Sequence, residues 1–124
     1  MTYHHVDPAD VDPTPDHPCD RRPVADAAEL ATLFLAVYDL DPGEDLARVY
    51  HYHERREEAF LVLEGRLHVE TPERTYVVDA GEVFVAEPGS PHRAHNPADA
   101  SGTVRVFGTG TPRSDPALAY EPGR

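Results

Sequence analysis

Three histidines and one glutamate have the types and spacing of metal ligands: His51, His53, Glu58 and His92. Successive side chains on a β-strand point to opposite faces, so His51 and His53 would share one face. A turn after His53 would bring Glu58 back beside both imidazoles. Because Phe60 and Val62 would share the face of Glu58, its carboxylate would lie above apolar neighbours, where an unpaired charge is costly. This setting favours a bound cation.

Such a ligand set suits one divalent transition metal, namely Fe, Mn, Ni, Co, Cu or Zn. An octahedral ion with four protein ligands keeps two positions for water, a substrate or dioxygen, as catalysis requires. Glu57 is the rival to Glu58. The alternation with Phe60 and the gap of six residues to Gly65 both select Glu58, and Glu57 is expected to face outward.

The elements that must position these ligands read as short strands separated by turn signals, which is typical of an all-β sandwich or barrel. Proline and glycine mark the turns at 41–44 and 87–91. No internal repeat is present, so we expect one barrel over residues 26–110, between a Pro/Asp-rich extended N-terminal arm (1–25) and a C-terminal tail (111–124). The predicted strands are Leu30–Leu40, Leu46–His53, Ala59–Leu63, Arg66–Thr71, Thr75–Val78, Val83–Ala86, Arg93–Asn96 and Thr103–Phe107.

Two segments resemble the signature motifs of the cupin family. His51, His53, Glu58 and Gly65 match the first motif in order and spacing. Gly81, Gly89, His92 and Asn96 are similarly spaced to the second motif. The sequence departs from the motifs at two turn positions, with Asp45 where the family has glycine and Glu87 where it has proline.

The resemblance implies a cupin-type double-stranded β-helix, or jelly-roll barrel, and frequent homodimers. It also implies that the metal ligands are His51, His53, Glu58 and His92. Phe60, Val62 and Asn96 are candidates for the substrate pocket. We expect Tyr38 to lie in the core, and an outward position for His68 and His95.

Composition restricts the partners. The chain carries 23 acidic residues against 11 basic ones, all arginine, for a formal charge of −12. This charge disfavours nucleic acid and anionic membranes as partners. The acidic composition without lysine favours a halophilic protein over the alternative, a GC-rich genome that encodes arginine in place of lysine. Cys19 is the only cysteine, which excludes an intramolecular disulfide. With no signal-peptide pattern and no long apolar run, a cytoplasmic location is expected.

The sequence supports several functions, because one barrel can host many chemistries. The first is an enzyme that acts on a small organic molecule by dioxygenase-like or Lewis-acid chemistry. An isomerase or lyase would need a further proton-transfer group in the barrel, and no carboxylate besides Glu58 is clearly inward. A non-catalytic, metal-anchored ligand-binding module and a structural metal site are also possible functions. Arg48 and Arg105 could reach an anionic ligand, although surface salt bridges are the favoured interpretation.

Overall fold

The computed structural model describes residues 1–123, and its regular secondary structure consists mostly of antiparallel strands. A 3-10 helix spans Pro8–Asp10 before the first strand, and a short α-helix, α1 (Val24–Ala27), follows that strand. The strands are β1 (Asp20–Arg22), β2 (Phe34–Leu40), β3 (His51–Tyr52), β4 (Glu57–Glu64), β5 (Arg66–Glu70), β6 (Thr75–Asp79), β7 (Val83–Ala86), β8 (Arg93–His95), β9 (Val104–Thr111) and β10 (Leu118–Ala119).

The strands form a larger sheet, a smaller sheet and a separate pair. The larger sheet has the order β1-β2-β9-β4-β7, the smaller one has the order β6-β5-β8, and β10 pairs with β3. Alternating residues on each strand face inward, as the pleat requires. Phe60 and Val62 of β4 are buried, as are Leu67 and Val69 of β5, and they belong to one continuous core cluster. Both sheets therefore cover a single core.

A glycine on β9 allows the centre of this core to pack closely. A Cβ atom at Gly108 would lie 2.9 Å from Cε1 of Tyr38 and 3.4 Å from Cδ1 of Phe60. The two aromatic rings therefore use the space that any larger residue would fill. This contact brings Tyr38 on β2 and Phe60 on β4 together across β9.

The observed strands follow the predicted ones most closely from β4 to β8. The strand predicted before β4 was too long, because the segment Leu46–His53 forms a strand only at His51–Tyr52. The preceding segment still contacts the smaller sheet, through a bridge between Asp45 and His95 and a backbone hydrogen bond from Leu46 to Ala94. β2 begins at Phe34 and not at Leu30, whose N–H donates to Ala25 O within α1.

Both terminal segments contribute to the folded unit. Within the N-terminal residues predicted as an extended arm, β1 pairs with β2 and extends the larger sheet, and Cys19 is buried in the core cluster. Proline cannot donate to a sheet ladder, but β1 contains none and lies between Pro18 and Pro23. In the C-terminal segment, β10 pairs with β3, the strand that carries His51.

Among the described residues, no helix has the length and apolar character needed to cross a membrane.

Candidate metal centre

His51, Glu58 and His92 come together because their strands are neighbours in the barrel. His51 lies on β3, and His92 immediately precedes β8. The two residues form an antiparallel bridge, in which His51 N donates to His92 O (3.2 Å) and His92 N donates to His51 O (2.9 Å). Glu58 is the second residue of β4, on the inward face that it shares with Phe60. All three side chains are buried.

The ligand atoms of these three residues could reach a single ion. One atom from each of His51, Glu58 and His92 lies within 4.8 Å of the other two. Oε1 of Glu58 is 3.2 Å from Nε2 of His92. Two bonds of about 2.0–2.2 Å that meet at one ion span up to about 4.4 Å, which covers the 3.2 Å between these two atoms.

His53 lies beside this group but outside the set of mutually close atoms. Its ring centroid is 5.0 Å from that of His51, and its Nε2 is 3.6 Å from Oε2 of Glu58. The four residues that the sequence predicts as ligands therefore line one site. The ligand atoms of three of them are close enough to share one ion, and the fourth, His53, lies next to Glu58.

Backbone carbonyl groups fix the same tautomer in all three imidazoles. Nδ1 of His51 lies 2.9 Å from Val49 O, and Nδ1 of His92 lies 2.9 Å from Ser90 O. Nδ1 of His53 lies 3.0 Å from Asp115 O. Because a carbonyl oxygen only accepts, each Nδ1 carries the hydrogen.

This arrangement leaves Nε2 of each imidazole as the atom that can bind a metal. A hydrogen bond from the second ring nitrogen to a carbonyl is the usual support of a metal-binding histidine, because it sets the tautomer and the ring orientation. The donor set of nitrogen and carboxylate oxygen suits a transition metal. The residues therefore fit a metal ion.

Arg56 is a cation of this site that the sequence analysis missed. Its Nη1 donates to Oε2 of Glu58 at 3.1 Å and lies 3.5 Å from Nε2 of His53. Its remaining nitrogens donate to the carbonyls of Pro112 and Arg113. The sequence places Arg56 in a charged corner that suggests solvent exposure. The side chain is in fact only 10% exposed, because it folds back towards Glu58.

The charges of the site are mutually stabilising. Burial alone would raise the pKa of Glu58, but the hydrogen bond from His92 and the electrostatic influence of His92, His53 and Arg56 lower it to about 2. Burial likewise opposes protonation of His92, yet its hydrogen bond to Glu58 raises the pKa of that imidazole. Burial lowers the pKa of His51. The carboxylate is therefore ionised and available as a ligand at neutral pH.

Asp115 supports the site from the C-terminal segment, and sequence reasoning missed it as well. Its carboxylate accepts the backbone N–H groups of Arg55 (2.9 Å) and Arg56 (3.0 Å), and these hydrogen bonds lower its pKa. Its backbone carbonyl accepts from His53. One buried residue thus fixes both the turn between the two ligand strands and the orientation of one imidazole.

A cavity of about 360 Å³ opens onto the site. His51, His53 and Glu58 line it, together with Phe60 and Tyr38. This volume lies within the usual range for small-molecule sites, about 300–1,000 Å³.

Of the three predicted pocket residues, only Phe60 lines this cavity. The side chain of Val62 is fully buried in the core. The amide of Asn96 donates to Leu40 O (3.0 Å) and Gly102 O (2.9 Å), so it ties two loops together. His68 and His95 are half-buried on neighbouring strands, with ring centroids 5.9 Å apart, and His68 alternates with the core residues Leu67 and Val69.

Comparison with known families agrees with this geometry. The model of the cupin domain family matches residues 36–107, which is more than half of the chain and includes all four predicted ligands. The chain belongs to the cupin family. The resemblance of the two histidine-containing motifs is thereby confirmed, as is the predicted all-β fold of the double-stranded β-helix type. No protein of curated function matches this cupin.

Solved structures resemble this cupin over nearly its whole length, at low sequence identity. The polyketide cyclase RemF from Streptomyces resistomycificus is 23% identical, with a TM-score of 0.77, over 97% of this chain and 87% of its own. An uncharacterized conserved protein with a double-stranded β-helix domain from Klebsiella pneumoniae is 18% identical, with a TM-score of 0.75, over 97% and 99% of the two chains.

A putative sugar phosphate isomerase from Acidithiobacillus ferrooxidans is 22% identical, with a TM-score of 0.66, over 75% of this cupin. This cupin spans only 58% of that protein. At such identities the likeness shows a shared fold.

Proposed function

We propose that this cupin is a metal-dependent enzyme that acts on a small organic molecule. One divalent transition metal would be held by His51, His53, Glu58 and His92. The observation that carries the proposal is the shared tautomer of the three imidazoles, each with Nδ1 fixed by a backbone carbonyl and Nε2 left as the metal-binding atom. A structural metal needs no adjoining cavity, whereas this site adjoins one of about 360 Å³.

A bound ion would supply Lewis-acid activation of a carbonyl or hydroxyl oxygen, or dioxygen activation if the metal is redox-active. The chain itself would orient the substrate and exclude water. Phe60 closes the inner wall of the cavity, and its ring centroid lies 6.0 Å from that of His92. Arg56 would keep Glu58 ionised as a ligand.

The cavity also contains proton-transfer groups that the sequence analysis did not place there. Tyr38 lines it, and burial raises the pKa of its phenol to about 12, so the hydroxyl remains a hydrogen-bond donor at neutral pH. His17 lines the same cavity, and its ring centroid is 6.3 Å from that of Tyr38. His17, which lies in the segment predicted as an extended arm, is half-buried, and its Nε2 is 2.7 Å from Leu46 O.

These two groups favour Lewis-acid chemistry with proton transfer, as in an isomerase, lyase or cyclase, over chemistry that needs only dioxygen. The structural resemblance to a polyketide cyclase and to a putative sugar phosphate isomerase supports the same choice. A dioxygenase-like reaction is the second candidate, since three imidazoles and a carboxylate also suit redox-active iron.

The first experiment measures metal content and reactivity together. Elemental analysis of the purified chain would be followed by oxygen uptake with diols, thiols and keto acids, and by deuterium exchange from solvent into the same keto acids. We expect about one transition metal per chain and deuterium incorporation without oxygen uptake. Oxygen uptake would support the dioxygenase instead.

The matched variants are His51→Ala and His4→Ala, because His4 is an exposed histidine of the N-terminal segment. The first should lose the metal and the second should keep it. If wild type holds no transition metal, even after incubation with Fe²⁺, Mn²⁺ or Zn²⁺, the proposal is wrong. Metal binding and ligand-dependent melting without turnover would support the non-catalytic binding module.

A further inference from the structure

Four arginines line the cavity at the candidate metal centre: Arg21, Arg48, Arg56 and Arg113. The whole chain has only 11 basic residues and a formal charge of −12. The carboxylates that line the same cavity are those of Asp26 and Glu58. The cavity therefore concentrates positive charge in a protein whose surface is predominantly negative.

Two of these arginines are neutralised by the two carboxylates. Arg113 forms an ion pair with Asp26, and Arg56 forms one with Glu58. If Glu58 binds a metal, its negative charge is shared with the ion, and Arg56 becomes available to another anion. Neither of these ion pairs involves Arg21 or Arg48.

Arg21 and Arg48 have no carboxylate partner within residues 1–123. Nη1 of Arg21 donates to Oγ1 of Thr14 at 2.8 Å, and its guanidinium lies 5.4 Å from the ring centroid of Phe34. Arg48 donates to the backbone carbonyls of Pro15 (3.2 Å) and Asp16. Neutral oxygens orient a guanidinium without cancelling its charge. Both side chains are thus held in place with an unbalanced positive charge.

We propose that the cavity binds a substrate that carries an oxyanion group, a carboxylate or a phosphate, through Arg21 and Arg48. The planar fork of a guanidinium matches both groups and forms hydrogen bonds that are stronger than those between neutral partners. The far end of the same molecule would reach the metal centre, and this part of the inference rests on the proposed function.

The N-terminal segment gains a role from this arrangement. Thr14, Pro15 and Asp16 supply the oxygens that orient the two guanidinium groups, and Thr14 N donates to Arg21 O at 2.9 Å. This segment was expected to be an extended arm. Its contacts instead build one wall of the substrate cavity and present the cations that select the ligand.

Calorimetric titration of the Zn²⁺-loaded chain tests the inference with two matched pairs of probes. Pyruvate is compared with methyl pyruvate, and glycerol 3-phosphate with glycerol. We expect at least one anion to bind about tenfold or more tightly than its neutral partner, the factor expected for charge-assisted hydrogen bonds. The pair that shows the larger difference identifies carboxylate or phosphate as the preferred group. The preference should weaken as salt increases.

The variant carries Arg21→Gln and Arg48→Gln together, and the control is Arg105→Gln. Arg105 lies on the larger sheet, 3.9 Å from Asp39, so its substitution removes the same kind of charge away from the cavity. We expect the double variant to bind the preferred anion about tenfold more weakly or worse, with the neutral probe unchanged. The control should change anion binding less than about twofold, because surface pairs contribute little.

Two results would overturn the inference: equal binding of the anionic and neutral probes by wild type, or a folded double variant that binds anions like wild type. If the double variant does not fold, the single variants Arg21→Gln and Arg48→Gln decide the question, because a bound Zn²⁺ ion would itself attract anions and only loss of an arginine separates the two effects. Metal content is measured on the same samples. If wild type holds no metal but still prefers anions through these arginines, the proposed function fails and the anion site stands.

Discussion

Truncation of Phe60 tests whether the floor of the metal cavity is also the centre of the hydrophobic core. Phe60 is 2% exposed, and it packs against Gly108 on β9 and near His92. Replacement by alanine removes a buried ring that its neighbours cannot refill without backbone movement. A Phe→Ala substitution in such a position costs about 3–5 kcal/mol. This is a large part of a total stability of about 5–15 kcal/mol.

The expected change in melting temperature follows from the size of the chain. With an unfolding entropy of about 2.1 cal/mol/K per residue, the 124 residues give roughly 0.26 kcal/mol/K. A loss of about 3–5 kcal/mol then lowers Tm by roughly 12–19 °C. Differential scanning calorimetry should be run with a chelator present, because a bound metal would stabilise both proteins and obscure the difference.

Leu63→Ala is the control, since Leu63 lies on the opposite face of the same strand and is 44% exposed. Its substitution should lower the free energy of unfolding by less than about 1 kcal/mol. Similar Tm decreases for the two variants would refute the assignment of Phe60 to the core centre. A small decrease for Phe60→Ala, with altered metal binding, would instead make it a pocket wall without a structural role.

Three further predictions follow from single contacts. Asp115→Ala should weaken metal binding by about 10- to 100-fold, because it frees the turn at Arg55 and so loosens His53. Competition with a chelating dye measures the affinity. An unchanged affinity would contradict the supporting role of Asp115. Burial raises the pKa of Cys19 to about 12, so its thiol should react with iodoacetamide at pH 8.5 far more slowly in the folded chain than in urea. Because the folded thiol has the higher pKa, the free energy of unfolding should also fall as pH rises above about 9; equal reaction rates would show that the thiol is accessible. Gly65→Ala should lower the free energy of unfolding by about 1–3 kcal/mol, because Gly65 has φ +79° and an added Cβ would lie 2.8 Å from a backbone oxygen. Urea titration measures this change. An unchanged free energy of unfolding would mean that the turn can relax.

The sequence predicts the ligand strand β4 well because its signals are local. On β4, the alternation of Glu58, Phe60 and Val62 with outward residues requires no knowledge of distant partners. The same holds for the turn before His92, where proline and glycine set the backbone. These features place the predicted metal ligands in one site.

The supporting residues depend on contacts between distant parts of the chain. Asp115 and Arg55 are 60 positions apart, and no periodicity links them. Arg56 looks like a surface charge because its carbonyl partners belong to the C-terminal segment. The pairing of β1 with β2 is also invisible in a segment rich in proline. The homodimer, the cytoplasmic location and the salt-adapted origin stay predictions.

The role of Asp115 has a consequence for the order in which the protein matures during synthesis. The histidine that it orients is translated 62 positions earlier. Until residue 115 has left the ribosome, the His53 imidazole lacks the carbonyl that sets its tautomer. We therefore expect a nascent chain to close its barrel before it can retain a metal ion, so that metal capture reports completed folding.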